Sequence, residues 1–182
     1  MSSFSWGGQI ENKNFLSPTG FKFILSKKPK LDFFCNQAQI PGINLGVAIQ
    51  ATYLKNIPIP GETLSFDDLV IKYMIDENMD NYIENHTWLT QFGFPESARQ
   101  YQDLLDSEEY NTGKQTAISG MSDGTLIIYN SNYRPNIQVN FKDLFPVSLS
   151  APEFNTKETD ITYLEAQAVF KYTIYDIERI EN

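Results

Sequence analysis

A chain of 182 residues, 41% hydrophobic and 20% charged, is long enough for one domain with its own core and has the composition of neither a disordered, a collagen-like nor a membrane protein. Its formal charge of −9 excludes a protein whose work is to grip phosphate backbones, because that grip needs clustered Lys and Arg. Cys35 is the single cysteine, which excludes an intrachain disulfide and a multi-cysteine metal site and suits a reducing cytosol.

In chain order, Met1–Gly8 has neither the basic start nor the apolar core of an export signal. No apolar run approaches the length of a bilayer span, so neither export nor membrane anchoring is expected. Residues 1–18 are polar and aperiodic and predict an N-terminal arm that orders only against something else, leaving one domain over residues 19–182. Phe21, Phe23 and Leu25 alternate with Lys22 and Ile24, a strand pattern. The basic turn Lys27–Lys30 joins it to a second strand from Leu31 to Ala38. Between Ile40 and Gly61, Pro41, Gly42, Gly46, Pro58 and Pro60 frame the run Val47–Leu54. Prolines at both ends predict an extended excursion.

Leu64–Ile75 reads as one strong strand, with Leu69, Ile71, Tyr73 and Ile75 on one face and Asp68, Val70, Lys72 and Met74 on the other. After Asp76 the period turns helical. Met79, Tyr82, Ile83, His86, Leu89 and Gly93 form the expected inner stripe, acidic Asp76, Glu77 and Asp80 suit a helix N-terminus, and Gly93 with Pro95 ends it. Pro95–Tyr110 predicts a second short helix and Asn111–Gly124 a loop, so that 95–124 reads as an insertion. Thr125–Tyr129 and Asn136–Lys142 flank a turn-rich bridge and predict a hairpin, stopped by Phe145-Pro146. Ile161–Ile177 predicts one long closing strand. Ala166, Ala168, Phe170, Tyr172 and Ile174 share its core face, and Gln167, Val169, Lys171, Thr173 and Tyr175 share the other. The fold class is mainly β with a flanking helix.

Chemistry is sparse along this chain. The single histidine, His86, lies on the expected apolar stripe of the helix, where a core or half-buried role is the simpler reading. It is far in sequence from Cys35, and neither sits in a nucleophile signature. No Gly-x-x-x-x-Gly-Lys segment cradles a phosphate. Asp67 and Asp68 point to opposite faces of a strand and so do not chelate one ion together. Tyr133-Arg134 is the best local pair for stacking a base, yet it lies in a turn, and a turn role explains it. Asn85-His86-Thr87 spells a glycosylation sequon in a compartment where none is expected. No catalytic residue, metal site or cofactor is predicted, and the profile suits assembly better than catalysis.

The order of these pieces resembles the tail tube protein family of contractile-tailed bacteriophages over roughly Gly20–Ile177. The residues that carry it are Phe33-Phe34-Cys35-Asn36-Gln37-Ala38 followed by Ile40-Pro41-Gly42, then Ile57-Pro58-Ile59-Pro60-Gly61, and the strand from Phe66-Asp67-Asp68 to Asp76-Glu77. Ile127-Ile128-Tyr129, Ile137–Phe141, Asp143-Leu144-Phe145-Pro146 and the closing strand Leu164–Tyr175 follow in the same order. The resemblance implies a β-sandwich or barrel that assembles into stacked hexameric rings around a channel, with DNA passing through the lumen without specific binding. It implies a structural virion protein of the tail, assembled in the host cytoplasm, whose partners are copies of itself, the tail sheath protein, and the baseplate and tape measure proteins. The role is a repeated tube subunit; a baseplate initiator or adaptor ring, or the tube of a contractile injection system, shares the fold. Within that frame Val47, Ile49, Tyr53, Leu54 and Ile57 are the expected inter-ring contact, and Gln167, Val169, Lys171 and Thr173 the expected strand facing a neighbouring subunit or the lumen.

Overall fold

The computed structural model describes residues 15–26, 35–93, 99, 120–155 and 163–180. The N-terminal arm up to residue 14, the basic turn 27–30, the first half of the second strand and the short helix expected over 95–110, Arg99 apart, lie outside the described residues.

The spine of the fold is β7, Pro135–Leu149. Along Ile137–Phe141 it pairs antiparallel with β6, Ser122–Tyr129, on one side and with β9, Ile174–Arg179, on the other. Along Phe145–Leu149 it pairs with β8, Glu165–Lys171. One seven-stranded sheet results, in the order β1-β6-β7-β8-β5-β2 with β9 on β7, where β1 is Phe21–Leu25, β2 is Cys35–Ala38 and β5 is Leu69–Met74. The sheet folds over at β7, and its two halves bury one cluster between them: Phe23, Leu25, Leu126, Val139, Phe141 and Leu144 from one, Leu69, Ile71, Tyr73, Ala166, Ala168 and Phe170 from the other. The result is an open sandwich. The closed-barrel form of the expected fold is not reached, because the path of the sheet ends at β1 and β2 instead of joining them.

Period-2 burial confirms the strand patterns at Phe23 and Leu25, at Leu69, Ile71 and Tyr73, and at Ala166, Ala168 and Phe170. Each such buried Leu, Ile or Phe contributes about 1.5–3 kcal/mol relative to exposure, and a one-residue slip would turn the whole set to water. The β6–β7 hairpin also forms, closed by Asn130, whose Oδ1 accepts from the backbone N–H groups of Asn132 at 2.9 Å and Arg134 at 3.0 Å. Tyr133 sits there with φ 55°, in the turn role expected of Tyr133-Arg134. β6 begins at Ser122, inside the stretch read as loop.

Four further expectations are corrected. β7 does not stop at Phe145-Pro146; it continues, because Pro146 adjoins the register shift between Pro146 and Ser148, and a bulge is where a strand tolerates proline. Leu64–Ile75 is not one strand but the end of β4, Asn56–Phe66, and β5, parted at Asp67 and Asp68. The closing strand is likewise two, β8 and β9, broken at Tyr172 and Thr173. After that break the alternation reverses, so Tyr175 is half-buried and Ile174 exposed.

The fourth correction concerns the helix, α1, Asp80–Gly93. Its inner face is Asn81, Asn85 and Trp88, whereas Ile83 and His86 of the expected stripe are exposed. Trp88 sets the phase: its indole N–H donates to the Gly120 carbonyl at 2.9 Å and its ring lies 6.0 Å from that of Phe170. Asn81 serves the inner face by bonding, since its amide donates to the Met74 carbonyl at 2.8 Å and accepts from the Asp76 N–H at 3.4 Å. A buried polar group is tolerated when it is so partnered. Asn85, the sequon residue, is buried on the same face and closed to a glycosylating enzyme in the folded chain.

Candidate functional site

The excursion is a two-stranded antiparallel arm, β3, Ile43–Ala51, paired with β4. Thr52 and Lys55 close its tip through the Thr52 hydroxyl. All of β3 is exposed, and so is β4 apart from Gly61 and Phe66. The arm runs five residues past the expected end at Gly61, to Phe66. Alternation puts Ile43, Leu45, Val47 and Ile49 on one face, with Leu64, Pro60 and Pro58 opposite them. The expected contact residues all stand in water: Val47 at 68%, Ile49 at 67%, Leu54 at 91%, with Tyr53 and Ile57 also exposed. An isolated two-stranded hairpin is at best marginally stable; Val47 and Ile49 share one face while Ile57, opposite Gln50, lies on the other, so the arm exposes apolar side chains on both sides, as an interaction surface does.

What holds the arm is its root. Phe66, the last residue of β4, makes edge contacts with Tyr172 and Tyr175 at 6.2 and 5.7 Å between centroids. Both tyrosines also pack on the buried Phe141, at 5.1 and 5.6 Å. The Tyr172 hydroxyl donates to the Asp67 carbonyl at 2.9 Å, and the Tyr175 hydroxyl to the Pro41 carbonyl at 3.0 Å. One clamp therefore grips the chain just before β3 and the other just after β4. The break between β8 and β9 is what turns both rings to this place. Burial, then Tyr175, Asp67 and Asp68 nearby, pushes the Tyr172 hydroxyl up to about 12, since a phenolate there would be poorly solvated and repelled. Sequence reading missed this clamp; the signal was a Tyr-x-x-Tyr pair at a strand break, Tyr172 to Tyr175.

The second expected set lies on the outward side of β8, apart from the arm. Gln167 and Val169 are half-buried and Lys171 is exposed, while Thr173 lies in the break itself. Lys171 donates to Asp68 at 2.8 Å, across from β8 to the β4–β5 junction. This pair ties Asp68 to a neighbouring strand, and Asp67 accepts from the Asn44 amide at 3.5 Å. Among the described residues no three His, Cys, Asp or Glu side chains cluster as metal ligands. Cys35 is half-buried at the sheet edge, its thiol directed to the Gln37 carbonyl at 3.7 Å. Among the described residues no helix is long and apolar enough to cross a membrane.

Comparison with known proteins agrees with this geometry. The chain is 28% identical over 145 residues to the tail tube terminator protein of Enterobacteria phage T4, covering 77% of this chain and 74% of that one. Its fold is similar to that in the cryo-EM structure of the tube-terminating cap of the anti-feeding prophage, with a TM-score of 0.59 at 13% identity over 95% of this chain and 97% of that one. It is similar also to the sheath-tube complex of an extracellular contractile injection system in its extended state, with a TM-score of 0.58 at 12% identity over 92% and 94%. The profile of the phage tail tube protein family matches residues 9–178, nearly the whole length. With its mainly β fold, its single described helix and its exposed arm, the chain belongs to the phage tail tube protein family, a family of structural tail proteins.

Proposed function

We propose that this chain forms a closed ring of identical subunits on the axis of a phage tail tube, and that the ring stands at the end of the tube as its terminator. The observation that carries the assembly is the arm: a stretch that no described residue of its own chain covers, held at a fixed root, needs a neighbour to bury it. Six copies per ring is the number that the family resemblance implies. A heterologous contact repeated around an axis closes into such a ring and leaves no sheet edge open to uncontrolled growth. Kinship with a tube terminator at 28% identity favours the terminal position. The repeated tube subunit and the initiator ring use the same fold, and what separates them is whether ring stacks on ring.

In this reading Val47, Ile49, Tyr53, Leu54 and Ile57 meet the adjoining ring, and Gln167, Val169, Lys171 and Thr173 meet a neighbouring subunit or the lumen. The proposed partners are the tube subunit beneath, the sheath around it, and the tape measure and baseplate proteins of the same tail. A net charge of −9 lets DNA pass without sticking where acidic groups face the channel. The chain is then a virion component.

Negative-stain microscopy of the purified chain over a concentration series tests this. Single rings of constant height that halt the growth of tube subunits added to them support the terminator. Long tubes of this chain alone overturn the terminal position in favour of the repeated subunit, and a monomer at every concentration overturns the ring. Deleting Val47–Leu54 is expected to leave a folded, soluble chain that no longer engages the tube; normal engagement by that variant removes the arm from the contact.

A further inference from the structure

The arm reaches the sandwich through two short crossings, residues 39–42 on the way out and Asp67-Asp68 on the way back. At the root its two legs are joined to each other. The Asp67 N–H donates to the Gly42 carbonyl at 3.0 Å, and a methyl group on Gly42 would stand 2.6 Å from an Asp67 carboxylate oxygen. Beyond the root the arm is exposed along its length apart from Gly61, so among the described residues nothing else sets its angle to the body. That angle matters through leverage: the nine residues of β3 span about 30 Å, whereas a two-stranded root is about 5 Å wide. Slack of about 1 Å at the root therefore becomes about 6 Å at the tip.

Two kinds of contact act at the root. Burial of Phe66 against the rings of Tyr172 and Tyr175 is attractive without being directional, so it holds the legs down and still lets them slide. A hydrogen bond weakens steeply once the donor leaves the line to its acceptor. The Tyr175 hydroxyl bonds the outgoing leg at Pro41, and the Tyr172 hydroxyl bonds the returning leg at Asp67. One such bond would leave a pivot; two on opposite legs remove it. Residues three apart face opposite sides of an unbroken strand, and the break at Tyr172-Thr173 is what lets both hydroxyls reach one root. The neighbouring Lys171–Asp68 pair is exposed and screened by solvent, so it adds little.

We infer that Tyr172 and Tyr175 are positioning residues for the contact with the adjoining ring: through their hydroxyl groups they set the arm at one angle in the free chain. The inference rests on the arm contact proposed above and adds two residues that do not themselves touch the partner. A preset arm binds without losing affinity to its own ordering.

The test separates angle from stability. Spin labels at Tyr53→Cys and Lys22→Cys, in a Cys35→Ser background, report the distance from tip to body in the free chain by double electron–electron resonance. One narrow distribution is expected. Tyr172→Phe and Tyr175→Phe keep the rings and remove the hydroxyls. Each is expected to widen the distribution, and the two together, in unlabelled chains, to raise the concentration for half-engagement of the tube about tenfold or more. Val139→Ala, at a buried position outside the clamp, is expected to lower the unfolding midpoint and to alter neither readout. A broad distribution before any tyrosine is changed overturns the inference and leaves the arm contact standing. So does a double variant that keeps the narrow distribution or engages the tube normally. Equal loss of engagement in Val139→Ala makes stability the cause and also overturns it. Normal engagement after deletion of Val47–Leu54 overturns the arm contact itself, and the positioning role with it.

Discussion

Gly61 faces Gly46 across the arm so closely that a methyl group on Gly61 would stand 2.6 Å from the Gly46 carbonyl carbon. The pair sits where the arm shifts register, between the Leu45–Leu64 and Val47–Pro60 pairings, with three residues of β4 opposite one of β3. Such a bulge bends a ribbon and sharpens its twist. The outer half of the arm is thereby aimed by two glycines.

Gly61→Ala is expected to disturb this bend and little else. Forcing a side chain against backbone costs about 1–3 kcal/mol in a packed site, but the arm lies outside the core. Faster amide exchange in β3 and β4, with an unfolding midpoint for the domain close to that of the parent chain, is the expected result. A large fall in midpoint would mean that the arm is part of the cooperative core.

What the sequence made legible follows from which residues are buried on one side only. β1, β5 and β8 show clean alternation because one face of each is core, and the β6–β7 hairpin announces itself through its Asn-rich turn. The arm was visible from its prolines, but its end was not. Leu64 and Phe66 lie out of step with Leu69 and Ile71, and that odd spacing across Asp67 and Asp68 was the one sign of the junction. Helix phase failed for a different reason. Met79 and Ile83 outweighed Asn81 and Asn85 on hydropathy, whereas in the fold a single Trp88 and a bonded Asn81 decide the inner face. Beyond the Tyr-x-x-Tyr spacing the root clamp left no local trace, because Tyr172 and Tyr175 meet Asp67 and Pro41, respectively, from more than a hundred residues away.

Asn85 tests how far the helix interface tolerates polarity. Among the described residues neither its amide nitrogen nor its oxygen makes a well-formed hydrogen bond, and nor does the neighbouring Tyr73 hydroxyl, although Asn85 lies close enough to favour that hydroxyl's ionised form. Burial pushes that hydroxyl above its ordinary value. Unpaired buried polar groups cost about 1–3 kcal/mol each. Asn85→Leu, close in volume, is therefore expected to raise the unfolding midpoint by an amount equivalent to about 1 kcal/mol. A fall of similar size in urea denaturation would show that Asn85 is satisfied in solution.

Tyr172 gives the fold an alkaline limit. Its hydroxyl is raised to about 12 in the folded chain, against about 10 for an unperturbed tyrosine. Between these values the unfolded chain has lost a proton that the folded chain keeps, so the stability this group contributes is intact below pH 10 and declines as pH rises through about 12. Tyr172→Phe is expected to be less stable at neutral pH, through loss of the bond to the Asp67 carbonyl, and flatter over the alkaline window. Unfolding midpoints measured from pH 8 to 12 check both, and parallel curves for the two proteins would remove Tyr172 from the alkaline transition.

Phe170 and Lys171 are consecutive on β8 and point to opposite sides of the sheet. Phe170 is buried against Trp88, whereas Lys171 is exposed and bound to Asp68, itself partly exposed. Phe170→Ala is expected to cost about 3–5 kcal/mol, the lost transfer energy plus the cavity that Trp88 and its neighbours do not fill. Lys171→Ala removes a solvent-screened pair and is expected to cost less than about 1 kcal/mol. Added salt should leave the first difference unchanged and shrink the second, because only the exposed pair is screened. Paired urea denaturation curves at low and high salt measure this, and equal midpoint shifts for the two variants would place the register of β8 one residue from where Leu69–Phe170 pairing puts it.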